Sequence, residues 1–386
     1  MEIILIVASS GRMLAQAAKN TGLKPLVIDL FADLDTQSYA KDFRRIKSLA
    51  EQDLAPAVDE FVERYAVAHV IYGSGFEYFP ESLGYLCSRL MLIGNHPDVF
   101  ARLQNKQAFF STLDDLNIPH PEVAFSAPDS ADGWLMKPMQ GQGGVGIQRY
   151  HDDDVAAAPS VYWQKFQTGT PHSALFLADG QQVQVVGFNT QWSASLSETQ
   201  EFVFSGVINS TDLPDAHKAV ITGWIKQMAP VFELRGLNSL DFIHADDCSY
   251  VLEINPRPSA SMQLYEGNLL IRHIQACEAG TLLAQRGKAQ SVGNNSEAYC
   301  AAWQDPHCTG YQIVYAGQDL TIPDQFEWPE WCMDLPRSGD MCRAGQPICS
   351  IIAHQKESRS VLEQLQTKQQ LIINKLEGFH RHGIYS

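Results

Sequence analysis

The sequence predicts an open parallel α/β layer over about the first 95 residues, then an α+β region, then a small C-terminal mixed β domain. Three observations lead there. Short apolar runs alternate with helical stretches at the start of the chain. Asp179-Gly180 joins two apolar runs further on, a strong signal for a turn between antiparallel strands. Leu240 to Ile254 then reads as a β-hairpin with one acid in each arm.

Ile3 to Ala8 is a buried, parallel-type strand ending at Ser9-Ser10-Gly11-Arg12. A helix is expected from Met13 to Asn20, a second strand over Pro25 to Asp29, and a helix through Val58 to Val62. Ala68 to Tyr72 is a third strand, ending at Gly73-Ser74-Gly75. Ligands of such layers gather at the carboxyl ends of the strands. Ser10, Gly11, Arg12, Ser74 and Glu77 are therefore candidates for substrate contact, although the glycines could equally serve only as turns. The first turn lacks the G-x-G-x-x-G spacing of a dinucleotide fingerprint.

Pro97 stands where a helix would start, and Val99, Leu103, Phe110 and Leu113 form its apolar stripe. Lys106 falls in that stripe, where its charge must snorkel or meet an anion. Trp134 to Pro138 is a strand carrying Lys137 near its end, and a loop with Gly141, Gly143, Gly144 and Gly146 follows. Glycines let backbone N–H groups approach an anion closely, and a lysine adds a point charge suited to phosphate. No Gly-Lys-Ser/Thr closes this loop, so it is not a Walker A motif. Val161 to Phe166, Ala174 to Leu177 and Val183 to Phe188 read as strands of a small antiparallel sheet carrying the loop. A helix from Ala216 to Phe232 leads to the hairpin.

In the hairpin, Glu253 and Asn255 project from one strand face. A loop of odd length, such as Asp246 to Cys248, puts Asp241 directly opposite Glu253. An even loop puts the two acids on opposite faces. Two facing carboxylates repel, and a hard divalent cation held by oxygen ligands resolves the conflict.

The chain has 386 residues, long for one core, so two or three domains are expected. Hydrophobic residues make up 45% and charged residues 19%, which fits a globular enzyme. The net charge of −16 argues against broad electrostatic binding to nucleic acid or anionic membrane. No apolar run is long enough to span a bilayer. The first residues carry an acid where a signal peptide needs basic ones. Eight scattered cysteines fit a reducing cytoplasm.

The order and spacing of these pieces resemble the ATP-grasp superfamily of carboxylate–amine ligases. The resemblance covers residues 1–285 and rests on Lys106, Lys137-Pro138, the glycine loop, Gln164-Lys165-Phe166, Asp241, and Glu253-Ile254-Asn255-Pro256-Arg257. Ser10-Gly11-Arg12, Gly73 to Glu77 and Asn255 to Ser259 resemble a branch of ATP-dependent carboligases related to biotin carboxylase. The resemblance implies ATP and Mg²⁺ as cofactors. It implies that Lys106 and Lys137 contact phosphates and that Gly141 to Gly146 form a lid over them. Gln164 and the backbone of Lys165 and Phe166 would hold adenine. Asp241, Glu253 and Asn255 would bind Mg²⁺. Arg257, with Lys137 and Asn255, would serve the reaction. It implies an N-terminal domain over 1–95 and an ATP-grasp domain over 96–288 with a lid subdomain over about 118–190, while the change in character after about Ala289 marks a small β-rich terminal domain over 289–386.

The implied reaction joins a carboxylate to an amine through an acyl phosphate, releasing ADP and phosphate. An amino acid such as glutamate is a candidate substrate, and some relatives act in making one-carbon-carrier cofactors. An ATP-grasp kinase, a bicarbonate-activating carboligase and a non-catalytic nucleotide-binding regulator stay open as alternatives. So does the oligomeric state, dimers being common among related ligases. The acid that many such enzymes carry just after the hinge is missing from Gln167 to His172, which leaves ribose contact open. In the last hundred residues, Ser291 to Asn295 reads as a linker. Ala298 to Trp303, Gln312 to Tyr315 and Ile348 to Ala353 read as strands, and Ser358 to Leu376 as an amphipathic helix. Cys308, Cys332, Cys342 and Cys349 lack zinc-site spacing and are expected to be unpaired.

Overall fold

The computed structural model describes residues 1–151, 160–278, 282 and 307–383. Ile4 to Val7 of β1 (Ile3–Val7) are fully buried on both faces. Such a strand needs cover on both sides, which a parallel sheet with helices supplies. β2 (Lys24–Asp29), β3 (Asp42–Arg45), β4 (His69–Tyr72) and β5 (Met91–Ile93) pair parallel in the order β3-β2-β1-β4-β5. α1 (Arg12–Asn20), α2 (Leu34–Tyr39), α3 (Glu51–Tyr65) and α4 (Glu81–Arg89) alternate with these strands. The chain reverses strand order at β1, so a crevice opens beyond the carboxyl ends of β1 and β4. There Ser9 donates its N–H to Ser74 O at 2.7 Å. α2 and β3 were not expected. Asp42-Phe43-Arg44-Arg45 has one apolar residue, which suits a charged edge strand but gives no alternating pattern.

The apolar stripe from Val99 to Leu113 belongs to two helices, not one: α5 (Pro97–Gln104) and α6 (Lys106–Asp115). Asn105 breaks the run, and its side chain accepts from Ala108 N at 3.1 Å, capping α6. Lys106 therefore opens a helix.

A four-stranded antiparallel sheet carries the glycine loop. Its strands are β6 (Val123–Ala124), β7 (Trp134–Pro138), β8 (Gln148–Arg149) and β9 (Val161–Lys165), ordered β6-β9-β7-β8. The expected lid sheet also held the two strands joined by Asp179-Gly180, and that expectation is corrected. β10 (Thr170–Asp179) and β11 (Val183–Ala194) lie inside a separate eight-stranded sheet, ordered β14-β13-β10-β11-β12-β15-β19-β17. The reason is burial. Ala174, Phe176 and Ala178 of β10 feed one core, while Leu175 and Leu177 feed another on the opposite face. A strand buried on both faces belongs in the middle of a large sheet. β12 (Val203–Ile208), β13 (Arg235–Ala245) and β14 (Cys248–Asn255) complete its first half, and α7 (Asp215–Phe232) covers one face.

Most of the terminal strands join the large sheet. β15 (Cys308–Tyr315) pairs with the free edge of β12, and β19 (Pro347–Gln355) and β17 (Cys332–Met333) extend the same sheet. Gly206 lets both neighbouring strands approach, since a Cβ there would lie 2.2 Å from Trp192 of β11 and 2.8 Å from Tyr311 O of β15. β16 (Leu320–Thr321) and β18 (Met341–Cys342) form a small ribbon beside it. A 3₁₀ turn (Ala260–Leu264) and α8 (Leu269–Ala276) follow β14. The last helix, α9 (Ser358–Gly383), buries Val361, Leu365, Ile372 and Leu376 in the core of the terminal strands. Cys332, Cys342 and Cys349 are free thiols buried in that core. The expected linker over 291–295 and strand over 298–303 lie outside the described residues. No helix among the described residues is long and apolar enough to cross a membrane.

Candidate functional site

The site is built on the β13–β14 hairpin. Asp241 pairs with Glu253, as the metal reading requires. The reason differs from the expected one. The tip is Asp246-Asp247, an even loop, with Asp246 at φ +51°. From Ala245↔Cys248 to Phe242↔Val251 the ladder keeps that even register. A bulge at Leu252 then adds one residue to β14 and turns Glu253 to face Asp241. Asn255 donates Nδ2 to Asp241 Oδ2 at 2.9 Å, and Gln191 lies 3.4 Å from Asp241 Oδ1.

The two acids are held differently. Burial, with Glu253 opposite, pushes Asp241 up to about 7. Burial pushes Glu253 up as well, but Lys106 and Lys137 outweigh it and hold Glu253 below the usual range. Lys106 Nζ lies 3.3 Å from Glu253 Oε2, with its side chain only 8% exposed. The anion that Lys106 meets is thus Glu253. Lys137 donates to Gln164 Oε1 at 3.0 Å, and burial lowers its pKa to about 8.

The glycine loop leaves β7 and returns into β8. Gly143, Gly144 and Gly146 have φ of +62°, +74° and +80°, whereas Gly141 does not use that region. Gly143 O accepts from Phe204 N at 2.8 Å, so the loop rests on the start of β12. A Cβ on Gly144 would lie 1.9 Å from Phe202 O. Arg149 of the lid sheet adds a fork onto Glu201 at 2.6 and 2.9 Å and lies over the Phe166 ring.

Gln164 is buried, and its Nε2 has no partner, an orphaned donor beside Lys137. Lys165 and Phe166 correct part of the expectation. Their N–H groups donate to Glu122 O and Gly133 O inside the lid sheet, at 2.8 and 2.7 Å. Those donors are already used, and the Lys165 side chain turns away to Asp132 O.

The candidates at the crevice fall into two groups. Glu77 accepts Arg257 Nε at 2.6 Å and Gly75 N at 2.8 Å. Arg257 also reaches Asn255 Oδ1 at 3.4 Å, which links Glu77 to the hairpin. Arg12 is buried at 2% exposure against Asp334, Gln263 and Gln16 at 2.9–3.0 Å. Gly11 donates its N–H to Asp29, and Ser10 donates to Asp334 at 3.3 Å. Arg12 and Glu77 were expected to offer charge to a substrate. Both are instead saturated by protein partners, because burial demands compensation. Ser74 meets Ser9 through its carbonyl. Sequence reasoning missed Asp33, Asp35 and Asp334. The first two stand just past β2, where the rule about strand ends could have found them.

The donors around Asp241 are oxygens: two carboxylates and an amide, a set that suits Mg²⁺. Among the described residues no three or more His, Cys, Asp or Glu side chains are grouped to hold a metal by themselves. The remaining ligands would be water or phosphate oxygens, both of which Mg²⁺ accepts. Beside this pair stand two lysine ammoniums, Lys106 and Lys137, and the unpartnered Gln164 amide.

A parallel α/β layer, a glycine-loop sheet and a facing-acid hairpin define the class. Residues 103–261 match the family model of the ATP-grasp domain, and the chain carries that domain. It is 24% identical over 191 residues to the arginine-specific carbamoyl phosphate synthase large chain of Geobacillus stearothermophilus. That match spans 45% of this chain and only 18% of the synthase. The fold resembles the L-amino acid ligase of Bacillus licheniformis, with TM-score 0.70 and 14% identity over 96% of this chain and 97% of that one. It also resembles the biotin carboxylase domain of Hydrogenobacter thermophilus 2-oxoglutarate carboxylase, with TM-score 0.70 and 12% identity over 94% and 89%. At such identities the structural likeness is one of fold.

Proposed function

We propose that this chain is an ATP-dependent ligase that joins a carboxylate to an amine and releases ADP and phosphate. The observation that carries this reading is Asp241 opposite Glu253, flanked by Lys106 and Lys137. Asp241, Glu253 and Asn255 would hold Mg²⁺, which supplies charge neutralisation on the phosphates. Lys106 and Lys137 would pass from Glu253 and Gln164 to phosphate oxygens. Gln164 would offer its free amide to the base. Gly143 to Gly146 would exclude water while the carboxylate takes the γ-phosphoryl group. Arg257, held rigid by Glu77, would orient the charge that develops before the amine displaces phosphate. The fold likeness to an L-amino acid ligase supports an amino acid as one substrate.

The test is ADP and phosphate release with a panel of amino acids, amines and bicarbonate, with mass spectrometry of the products. An amide with equimolar ADP is expected. A phosphorylated acceptor, or a carboxylated product dependent on bicarbonate, with no amide under any pairing, would overturn the ligase reading.

A further inference from the structure

Beyond the carboxyl end of β2, next to the crevice, stand four acids and two arginines, Arg12 and Arg337, that the proposed reaction does not use. Three of the acids are satisfied by the protein. Asp29 accepts from Gly11, Phe31 and Ala32 N–H groups at 2.7–3.3 Å. Asp35 accepts from Asp334 N and Leu335 N at 2.9 and 3.0 Å. Asp334 takes Arg12 and Ser10. Asp33 is different. It is 7% exposed, and among the described residues its carboxylate has neither a hydrogen bond nor an ion pair. Its oxygens are not among the sealed, unpartnered atoms of the structure, so they keep some contact with solvent.

The field at Asp33 is negative. Asp334, Asp29 and Asp35 oppose its ionisation more strongly than Arg12 favours it. Burial and these acids push its pKa up to about 8. Arg12 is turned to Asp334 and Gln263, and Arg337 gives its Nη2 to Ala32 O rather than to Asp33. At that pKa the group is largely protonated near neutral pH for want of a partner, and a cation beside it would restore the carboxylate. The acids around it are not arranged to chelate a metal ion. A hydrogen-bonding organic cation fits better: it needs one close acceptor and a negative surround.

We propose that Asp33 binds a primary ammonium group of one substrate, a group that does not itself react. This rests on the ligase reading and names a substrate class for it. Position supports the assignment. Asp33 lies beyond the carboxyl end of β2 and Glu77 beyond that of β4, strands about 10 Å apart across β1. Both residues therefore lie at the carboxyl end of the layer, where ligands of such layers gather. Chemistry supports the word non-reacting. A nucleophilic amine must be neutral, whereas a negative surround keeps an ammonium protonated.

The experiment uses thermal melts of the full chain at constant ionic strength. The probes are methylammonium chloride, tetramethylammonium chloride and sodium chloride, each at about 100 mM. Methylammonium is expected to raise the melting temperature by about 1–3 °C over both controls. Asp33→Asn is expected to lose that increment and, without ligand, to melt no lower than the wild type, since Asp33 has no protein partner to lose. An equal methylammonium response in both proteins, or none in the wild type, overturns the proposal. So does an Asp33→Asn chain that fails to fold, because Asp33 would then be structural. MgADP stabilisation, read in a separate arm on the wild type, tests the nucleotide reading. Its failure leaves the methylammonium result to stand alone.

Discussion

Asp241 and Glu253 face each other because Leu252 is bulged out of the β14 ladder. With a two-residue tip and a regular ladder, Asp241 would pair with Leu252, and Glu253 would project from the other face. The bulge brings together two half-buried acids that a regular ladder would otherwise separate. Lys106 compensates one of them, and the other keeps a raised pKa.

Replacing Asp241 by Asn removes one of two facing charges. Asp241→Asn is expected to stabilise the unliganded chain by roughly 1 kcal/mol. It should also remove the Mg²⁺-dependent part of ADP binding, because the metal loses a carboxylate ligand. Urea melts with and without MgADP measure both effects. A variant that binds MgADP as the wild type does would take Asp241 out of the site.

Gly144→Ala tests the loop. The residue stands at φ +74°, and its Cβ would collide with Phe202 O. An alanine there must lift the loop from β12. The expected result is nucleotide affinity reduced about tenfold or more, equal to 1.4 kcal/mol of lost docking. The melting temperature should be little changed, since the loop is largely surface. Calorimetric titration with ADP and Mg²⁺ reads the first effect. Gly141→Ala, at a glycine outside the left-handed region with its nearest contacts at 3.8 Å, is the control.

Much of this site was legible in the sequence because its chemistry is carried by residue types that rarely occur without a reason. A lysine among apolar helix residues, a lysine before a run of glycines, and acids inside apolar strands are such residues. What was not legible depends on tertiary geometry. Leu252 is an ordinary apolar strand residue, and nothing local marks it as the bulge. Asn105 breaks a helix through one side-chain bond, without the glycine or proline that would announce a break. β10 was placed in the wrong sheet because turn chemistry shows that two strands pair but not what lies on their outer edges. The terminal strands complete the large sheet for the same reason: β12 offers a free edge, and edge pairing has no local code.

Glu77→Gln separates positioning from support. The Arg257–Glu77 pair is buried, with side-chain exposures of 10% and 3%. Removing one partner of a buried pair costs about 3–5 kcal/mol, because the other charge is left uncompensated. The melting temperature should fall, and turnover should fall with it. Arg257→Lys keeps the charge but loses the Nε and Nη2 geometry toward Glu77 and Asn255. That variant should retain most of the stability while losing kcat. If both variants lose stability and neither loses kcat in the remaining folded fraction, Arg257 is only a structural tie.

His273 predicts how stability varies with pH. It is 1% exposed on α8, accepts from Leu237 N at its Nδ1 at 2.8 Å, and faces Ile93 O through Nε2 at 3.2 Å. That arrangement uses the neutral ring, with the proton on Nε2. A second proton on Nδ1 would break the bond to Leu237. Burial accordingly lowers its pKa to about 4 from a usual 6.5. The sign follows from which state binds the proton. Between pH 6.5 and 4 the unfolded chain takes up a proton that the folded chain refuses, so stability falls as pH falls. The full difference is about 3 kcal/mol, complete below the folded pKa and absent above pH 7. Because His273 joins α8 and β13 to the end of β5, its protonation loosens the contact between the ATP-grasp core and the N-terminal layer. Urea melts from pH 4 to 8 should therefore show a steeper loss in the wild type than in His273→Gln, which cannot titrate. Parallel slopes for the two proteins would mean that other groups set the acid limit.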